Sequence, residues 1–243
     1  MLFDPKGDRL ISGGDDRKIR IWDLKTRKVI KTIETDPVAV LMFTSDAQKF
    51  IAWLRRIGPQ SDFIDTIQVF NREGTPLYNQ ITKSASAVVC ISLSSDGQLV
   101  ALGMKDGIAR IWDLAKNVRP FGGDMPLHQD ALGDIIITND KKKIISGDIR
   151  GEIKLWNLES KEMLQKLKAS NQKIFALSLS PDGKRFISVG GANELTLWSI
   201  DKFEKLGEWK LPSAVNNLVF TPDSKKIITA NKDTTLIVID LPD

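Results

Sequence analysis

The sequence predicts an all-β chain of repeated four-stranded antiparallel sheets, and three observations carry that expectation. The first is a strand pattern that reads, in its best copy, Asp106-Gly107-Ile108-Ala109-Arg110-Ile111-Trp112-Asp113. Ala109 and Ile111 face one side and Ile108, Arg110 and Trp112 the other, the alternation of a short strand entered through an Asp-Gly turn. The second is its recurrence. The aromatic or apolar residue closing each copy is Trp22, Phe70, Trp112, Trp156, Trp198 and Ile239, at spacings of 48, 42, 44, 42 and 41 residues. A period of about 40–45 residues marks a stacked repeat architecture. The third is a turn that precedes each strand, best seen in Ser180-Pro181-Asp182-Gly183. Pro fixes φ, Asp bonds its own backbone and Gly accepts positive φ, so this is a turn with a mechanism.

The copies follow in order. The strand pattern begins at Asp16-Arg17-Lys18-Ile19-Arg20-Ile21-Trp22-Asp23 and returns as Glu152 to Asn157 and Glu194 to Ser199, with weaker copies at Thr66 to Asn71 and Leu236 to Asp240. The turn recurs at Asp4-Pro5-Lys6-Gly7, Ser45-Asp46-Ala47, Ser95-Asp96-Gly97, Asn139-Asp140-Lys141 and Pro222-Asp223-Ser224. Apolar strands flank each turn, which makes a hairpin. The fifth unit resolves into four strands at 174–180, 185–190, 195–200 and 205–211. Four antiparallel strands at this period make a propeller blade. No segment keeps a 3.6-residue apolar period. The stretch Glu159 to Lys168, which could be drawn as a helix, is assigned to an outer strand by its place in the unit. The expected organisation is one domain over 1–243, with units near 1–34, 35–82, 83–125, 126–169, 170–211 and 212–243.

The repeated hairpin and Trp-Asp strand resemble the WD-repeat β-propeller family along essentially the whole chain. The resemblance implies a propeller of about six four-stranded blades. It also implies structural roles for Trp22, Asp23, Trp112, Asp113, Trp156 and Trp198. The family's turn Asp, six residues before the Trp, is present at Asp16, Asp106 and Asp233, while Ile64, Arg150 and Ala192 stand there in the other units. In the family this Asp joins a network with a His near the start of the unit. His128 has the spacing for that His, and Arg150 in its own unit leaves the network incomplete. The first unit is expected to have three strands and the last three, 22 in all. That count points to a piece of a longer propeller or to completion by another chain.

The second unit is longer, and its excess, Arg55-Arg56-Ile57-Gly58-Pro59-Gln60-Ser61-Asp62-Phe63, is expected to be a loop. The resemblance puts such loops on the partner-binding face, and Arg is enriched at hot spots. The same face is expected to carry Asp15, Lys105 and Lys232, just before the turn Asp, and Gln129, Asp130, Asn171 and Lys173, which open inner strands. With Arg55, Arg56 and Phe63 these are the expected partner-binding residues, and their mixed charge suits a polar peptide or protein surface.

Composition narrows the function. Hydrophobic residues are 42% and charged residues 27%, as in a globular chain rather than a disordered one. One His, one Cys and one Tyr offer no nucleophile–base–orienter set and no metal-ligand spacing, so neither an enzyme nor a cofactor or metal is expected. Gly13-Gly14, Gly122-Gly123 and Gly190-Gly191 fall in expected turns rather than before a phosphate-holding helix. Cys90, in an apolar run, reads as a buried core thiol. Trp53 and Trp209 lie outside the periodic position and are also expected to be buried. No signal peptide or membrane-length apolar run is seen, and a cytoplasmic location is expected, with a nuclear one left open. The net charge is +4, and all of the excess lies after residue 140, led by Lys141-Lys142-Lys143. The expected function is a non-enzymatic protein-interaction scaffold. The alternative is an RNA or ribonucleoprotein-binding propeller that uses the basic second half.

Overall fold

The computed structural model describes residues 1–44, 46–59, 63–83, 86–114, 116 and 123–242. These form 23 strands, with a single 3₁₀ turn at Gly191–Asn193. Two compact units are distinguished. One comprises Met1–Val88, Ser95–Val100 and Asp113–Val118; the other comprises Val89–Ser94, Ala101–Trp112 and Arg119–Asp243.

In chain order the sheets are β1 to β4 (Leu2–Phe3, Arg9–Gly13, Lys18–Asp23, Lys28–Glu34) and β5 to β8 (Val38–Phe43, Lys49–Ile57, Phe63–Asn71, Pro76–Lys83). Next come β9 to β12 (Val88–Leu93, Leu99–Met104, Ile108–Asp113, Met125–Pro126) and β13 to β16 (Leu132–Ile137, Lys143–Asp148, Glu152–Asn157, Met163–Lys168). The last are β17 to β20 (Ile174–Leu179, Arg185–Gly190, Glu194–Ser199, Lys205–Lys210) and β21 to β23 (Val215–Phe220, Lys226–Asn231, Leu236–Asp240). Every sheet keeps its strands in sequence order, and the fold is that of β-propeller blades. The stretch that could be drawn as a helix is strand β16. One expectation fails at the start of the chain. Leu2 and Phe3 pair with Ile11 and Leu10, so the first sheet has four strands and the count is 23 rather than 22.

The hairpin turns fold as their chemistry dictates. Thr44, Thr138, Ser180 and Thr221 donate their hydroxyls to Asp46, Asp140, Asp182 and Asp223 at 2.5–2.6 Å. The same hydroxyls accept the backbone N–H of Lys49, Lys143, Arg185 and Lys226. The last position of the turn, after Lys6 in the first copy and after the Asp in the others, takes φ between +55° and +77° at Gly7, Ala47, Gly97, Lys141, Gly183 and Ser224. Three of the six are not glycine, so the clamp holds side chains in a conformation they rarely adopt. The Asp of Trp-Asp has a separate task. Asp23 accepts from Thr26 N at 2.6 Å and Asp113 from Lys116 N at 2.9 Å, which closes the next turn.

Inward-facing residues build the cores. In the first unit Ile11, Ile19, Ile21, Phe50 and Phe70 are buried together, with the Phe50 and Phe70 rings stacked at 4.8 Å. In the second, Phe186 stacks on Trp198 at 6.1 Å above Ile145, Ile153 and Ile174. Each such side chain contributes about 1.5–3 kcal/mol by leaving water. Trp198 and Trp53 are buried, while Trp22, Trp112, Trp156 and Trp209 are half-buried. Trp22 and Trp198 donate Nε1–H to Ser12 and Ser188 one strand away, at 2.9 and 2.8 Å. Cys90 is buried on β9, and desolvation raises its thiol pKa well above the ordinary value.

The second sheet corrects the loop expectation. Arg55, Arg56 and Ile57 pair with Asp65, Ile64 and Phe63, so the excess residues mainly lengthen a hairpin. Gln60, Ser61, Asp62 and the Phe63 side chain lie outside the described residues. Asp65, 1% exposed, accepts Trp53 Nε1–H at 2.8 Å, Arg55 Nε–H at 2.7 Å and Val88 N–H at 3.2 Å. Arg55 also lies 4.7 Å over the Trp53 ring and donates to the Val88 carbonyl. Arg55 therefore ties strands together. Replacing Asp65 by Ala leaves these donors without an acceptor and should cost about 2–4 kcal/mol in urea unfolding. Breaking the exposed Asp16–Arg20 pair with Asp16→Ala should leave the urea midpoint almost unchanged, because solvent screens it. Equal costs would show that Asp65 does not hold the hairpin.

Candidate functional site

The expected partner-binding residues sit where the second turn of a sheet meets the loop leading into the next. In the second unit these loops are pinned by backbone hydrogen bonds. Leu127 N donates to Gly107 O, Ile149 N to Ala131 O, Ala169 N to Gly151 O, Gly191 N to Lys173 O, Leu211 N to Asn193 O and Lys232 N to Ala214 O, all at 2.8–3.0 Å. The turns can come this close because Gly107 and Gly151 have φ of +81° and +83° and no side chain. A Cβ there would stand 2.2 Å from His128 O or 2.1 Å from Ser170 O. The first unit is pinned alike, with Thr35 N to Arg17 O and Val38 N to Gly14 O.

This framework brings Lys105, Gln129, Asp130, Asn171, Lys173 and Lys232 to the same end of the second unit's sheets. Lys105, Gln129, Asn171 and Lys232 are exposed. Asp130 is engaged by Arg150 at 2.7 Å. In the first unit Asp15 is exposed, Arg56 pairs with Asp36 at 3.4 Å, and Arg55 is committed to Asp65. The turn aspartates do not all enter a His network. Asp16 pairs with Arg20 at 2.6 Å, while Asp106 and Asp233 accept the N–H two residues on, from Ile108 and Thr235.

His128 corrects the expectation of an incomplete network. Asp148, two residues before Arg150, supplies the missing carboxylate, with Oδ2 3.0 Å from His128 Nδ1. Ser146 Oγ stands 2.9 Å from Nε2. Burial and the Lys154 ammonium lower the His128 pKa against the pull of Asp148, so the ring is neutral. The consistent tautomer donates Nδ1–H to Asp148 and accepts the Ser146 hydroxyl at Nε2. Asp148 Oδ1 also accepts from Arg150 N and Glu152 N, both at 2.9 Å. Glu152 completes a group of ligand-type atoms with His128 and Asp148, all within 4.8 Å. Both imidazole nitrogens are already engaged, and Lys154 Nζ stands 3.6 Å from Glu152. The cluster anchors the loop. Trp156 Nε1 has no hydrogen-bond partner among the described residues.

Two features of the site were not singled out from sequence. Asp134 follows a β-bulge in β13 and bridges sheets, its Oδ1 accepting Ile135 N at 2.8 Å and Oδ2 accepting Leu177 N at 2.7 Å. Burial pushes this carboxyl up to about 7, against those two donors and Lys173. Phe175 occupies the matching bulge of β17 and is 57% exposed. The available signal was Lys173, which stands where the neighbouring inner strands are preceded by Ala131 and Ala214.

Sheets of four sequential antiparallel strands, closed by Ser/Thr–Asp turns and joined by pinned loops, define a protein built of repeated blades. The WD domain, G-beta repeat family matches residues 1–23 and 74–113. These matches, together with WD-repeat relatives, support a WD-repeat family for the chain. The chain is similar to kinesin-like protein KIF21B of Homo sapiens, 26% identical over 63% of this chain and 10% of that protein. It is also similar to autophagy-related protein 16 of Arabidopsis thaliana, 20% identical over 96% of this chain and 45% of that protein. A third relative, the target of rapamycin complex subunit LST8 of Mus musculus, is 23% identical over 93% of this chain and 70% of that protein. The chain thus spans less than half of the first two.

Two outcomes test the site chemistry. Asp148→Ala removes the acceptor of three donors and should lower stability by about 2–4 kcal/mol in urea titration; a loss under about 0.5 kcal/mol would remove the anchoring role. Asp134 holds its proton to about pH 7 when folded but only to about 3.9 when unfolded. Its contribution to stability is therefore full below about pH 4 and lost as pH rises towards 7. Urea midpoints measured across that window should fall less in Asp134→Asn than in the unaltered chain. Identical slopes would show that the two backbone donors outweigh burial.

Proposed function

We propose that this chain is a non-enzymatic protein-interaction scaffold whose loop end holds peptide or protein partners. The observation that carries the reading is the set of exposed polar side chains on backbone fixed by hydrogen bonds, because little order has to be gained on binding. The WD-repeat relatives support it, being generally interaction scaffolds, and one is by name a subunit of a complex. The step from fold to function is analogy, and the site residues make it specific. The proposed location is cytoplasmic. The nucleic-acid reading draws no support from the site. Lys141 to Lys143 belong to the first hairpin turn of their sheet, at the opposite end of β14 from the Asp148 turn.

Quantitative affinity purification with mass spectrometry separates these readings. A variant carrying Lys105→Glu, Asn171→Glu and Lys232→Glu should keep its thermal transition and lose a reproducible set of partner proteins. Lys142→Glu should retain them. Loss confined to Lys142→Glu, or partners released by ribonuclease, would overturn the scaffold reading.

A further inference from the structure

Phe175 is the starting point. Its bulge position is filled by Gly133 in β13 and Asn216 in β21, so one sheet places a large apolar ring where its neighbours have none. Phe175, Val189 and Val215 line two adjoining cavities of about 380 and 140 Å³, the smaller closed by Gly191, Asn193 and Lys232. A cavity of roughly 150 Å³ is enough for a benzene-sized group. The smaller cavity is mainly apolar, Asp134, Ser178, Asn216 and Asn217 make the larger one mixed, and the bordering backbone is held, so one side chain can be received without rearranging.

The rim supplies the charge. Lys173 Nζ stands 5.3 Å from the centroid of the Phe175 ring, and Lys232 borders the smaller cavity. Neither lysine has an ion-pair partner among the described residues. The Lys173 carbonyl accepts Gly191 N–H and the Lys232 N–H donates to Ala214, which fixes both stems. Asp134 also borders the larger cavity and feels the Lys173 charge, but burial pushes its carboxyl up to about 7, so it offsets that lysine only in part near neutral pH. Asn193 and Asn216 add amides suited to a peptide backbone. A single-stranded nucleic acid would match the charge, but it is bound by successive stacking platforms along a cationic groove. Here there is one ring beside two partly open cavities.

We infer that the end of sheets five and six takes an acidic peptide segment of a partner protein, seating one apolar side chain on Phe175 between Lys173 and Lys232. This rests on the scaffold reading and names the chemistry of its partner. The apolar contact supplies affinity and the two lysines choose the sequence around it.

The test is fluorescence anisotropy on the full chain with four labelled probes. They are a short peptide of aspartate and glutamate around one leucine, the same peptide with serine for leucine, a lysine-flanked counterpart, and oligouridylate. The acidic leucine peptide should bind in a saturable way, more tightly than the other three and less tightly as salt rises. Phe175→Ser should weaken it by about tenfold or more. Lys173→Gln and Lys232→Gln should each weaken it several-fold, and Phe175→Leu should largely restore binding. Phe175 is exposed, so an unchanged thermal transition confirms that Phe175→Ser is folded. Equal binding of the lysine-flanked peptide, indifference to Phe175→Ser, or tighter binding of oligouridylate would overturn the inference. If no peptide binds while the loop-end variant still loses its partner proteins, this inference fails and the scaffold reading stands. If the partners are also retained, both fail.

Discussion

The backbone hydrogen bonds between each inter-sheet loop and the turns beside it are the constraint on which the rest of this structure depends. A loop is ordinarily the mobile part of a β protein. Here Gly191 N–H reaches Lys173 O, Leu211 N–H reaches Asn193 O and Lys232 N–H reaches Ala214 O, so each loop is fastened to the sheets on either side. The bonds require close approach, which Gly107 and Gly151 permit by having no Cβ to strike the neighbouring carbonyls. They also require the loop to be held at a fixed height. His128 does this where it is present, by spanning Asp148 and Ser146. Asp65 does the comparable work in the first unit, gathering Trp53, Arg55 and Val88.

Two kinds of polar group thus divide the labour. Buried ones, Asp65, Asp148 and His128, are saturated with hydrogen bonds and shape the backbone. Exposed ones, such as Lys105, Asn171 and Lys232, remain available on that backbone. The division follows from solvation: an unsatisfied buried polar group costs far more than an exposed one. Arg55 shows how residue type alone misleads, since an arginine suited to a partner is here consumed internally. The reverse holds for Phe175, an apolar residue of core type that stands 57% exposed.

Much of the fold was legible because its signals are local. The Ser/Thr–Asp turns, the period near 42 residues and the alternation of each Trp strand need only a few neighbouring residues to be recognised. The elements that escaped depend on register or on contacts distant in sequence. Arg55 to Phe63 has the Pro, Gly and Ser of a loop, yet pairing of Arg55 with Asp65 turns most of it into strand. The carboxylate for His128 was sought six residues before Trp156, at Arg150, whereas folding brings Asp148 to the ring. The two-residue strand β1 is too short to show alternation. The cavity at Phe175 is assembled from β17, β18 and β21, and its local traces are Lys173 where the neighbours have alanine and Phe175 where they have Gly133 and Asn216.

The loop end is a fixed platform rather than a set of mobile loops. Native-state amide hydrogen exchange reads this directly. The N–H groups of Ala169, Gly191, Leu211 and Lys232 should exchange as slowly as those in the middle of β14 and β18. Exchange of these loop amides at the rate of exposed turns would contradict the claim, and with it the view that partners meet a surface already in place.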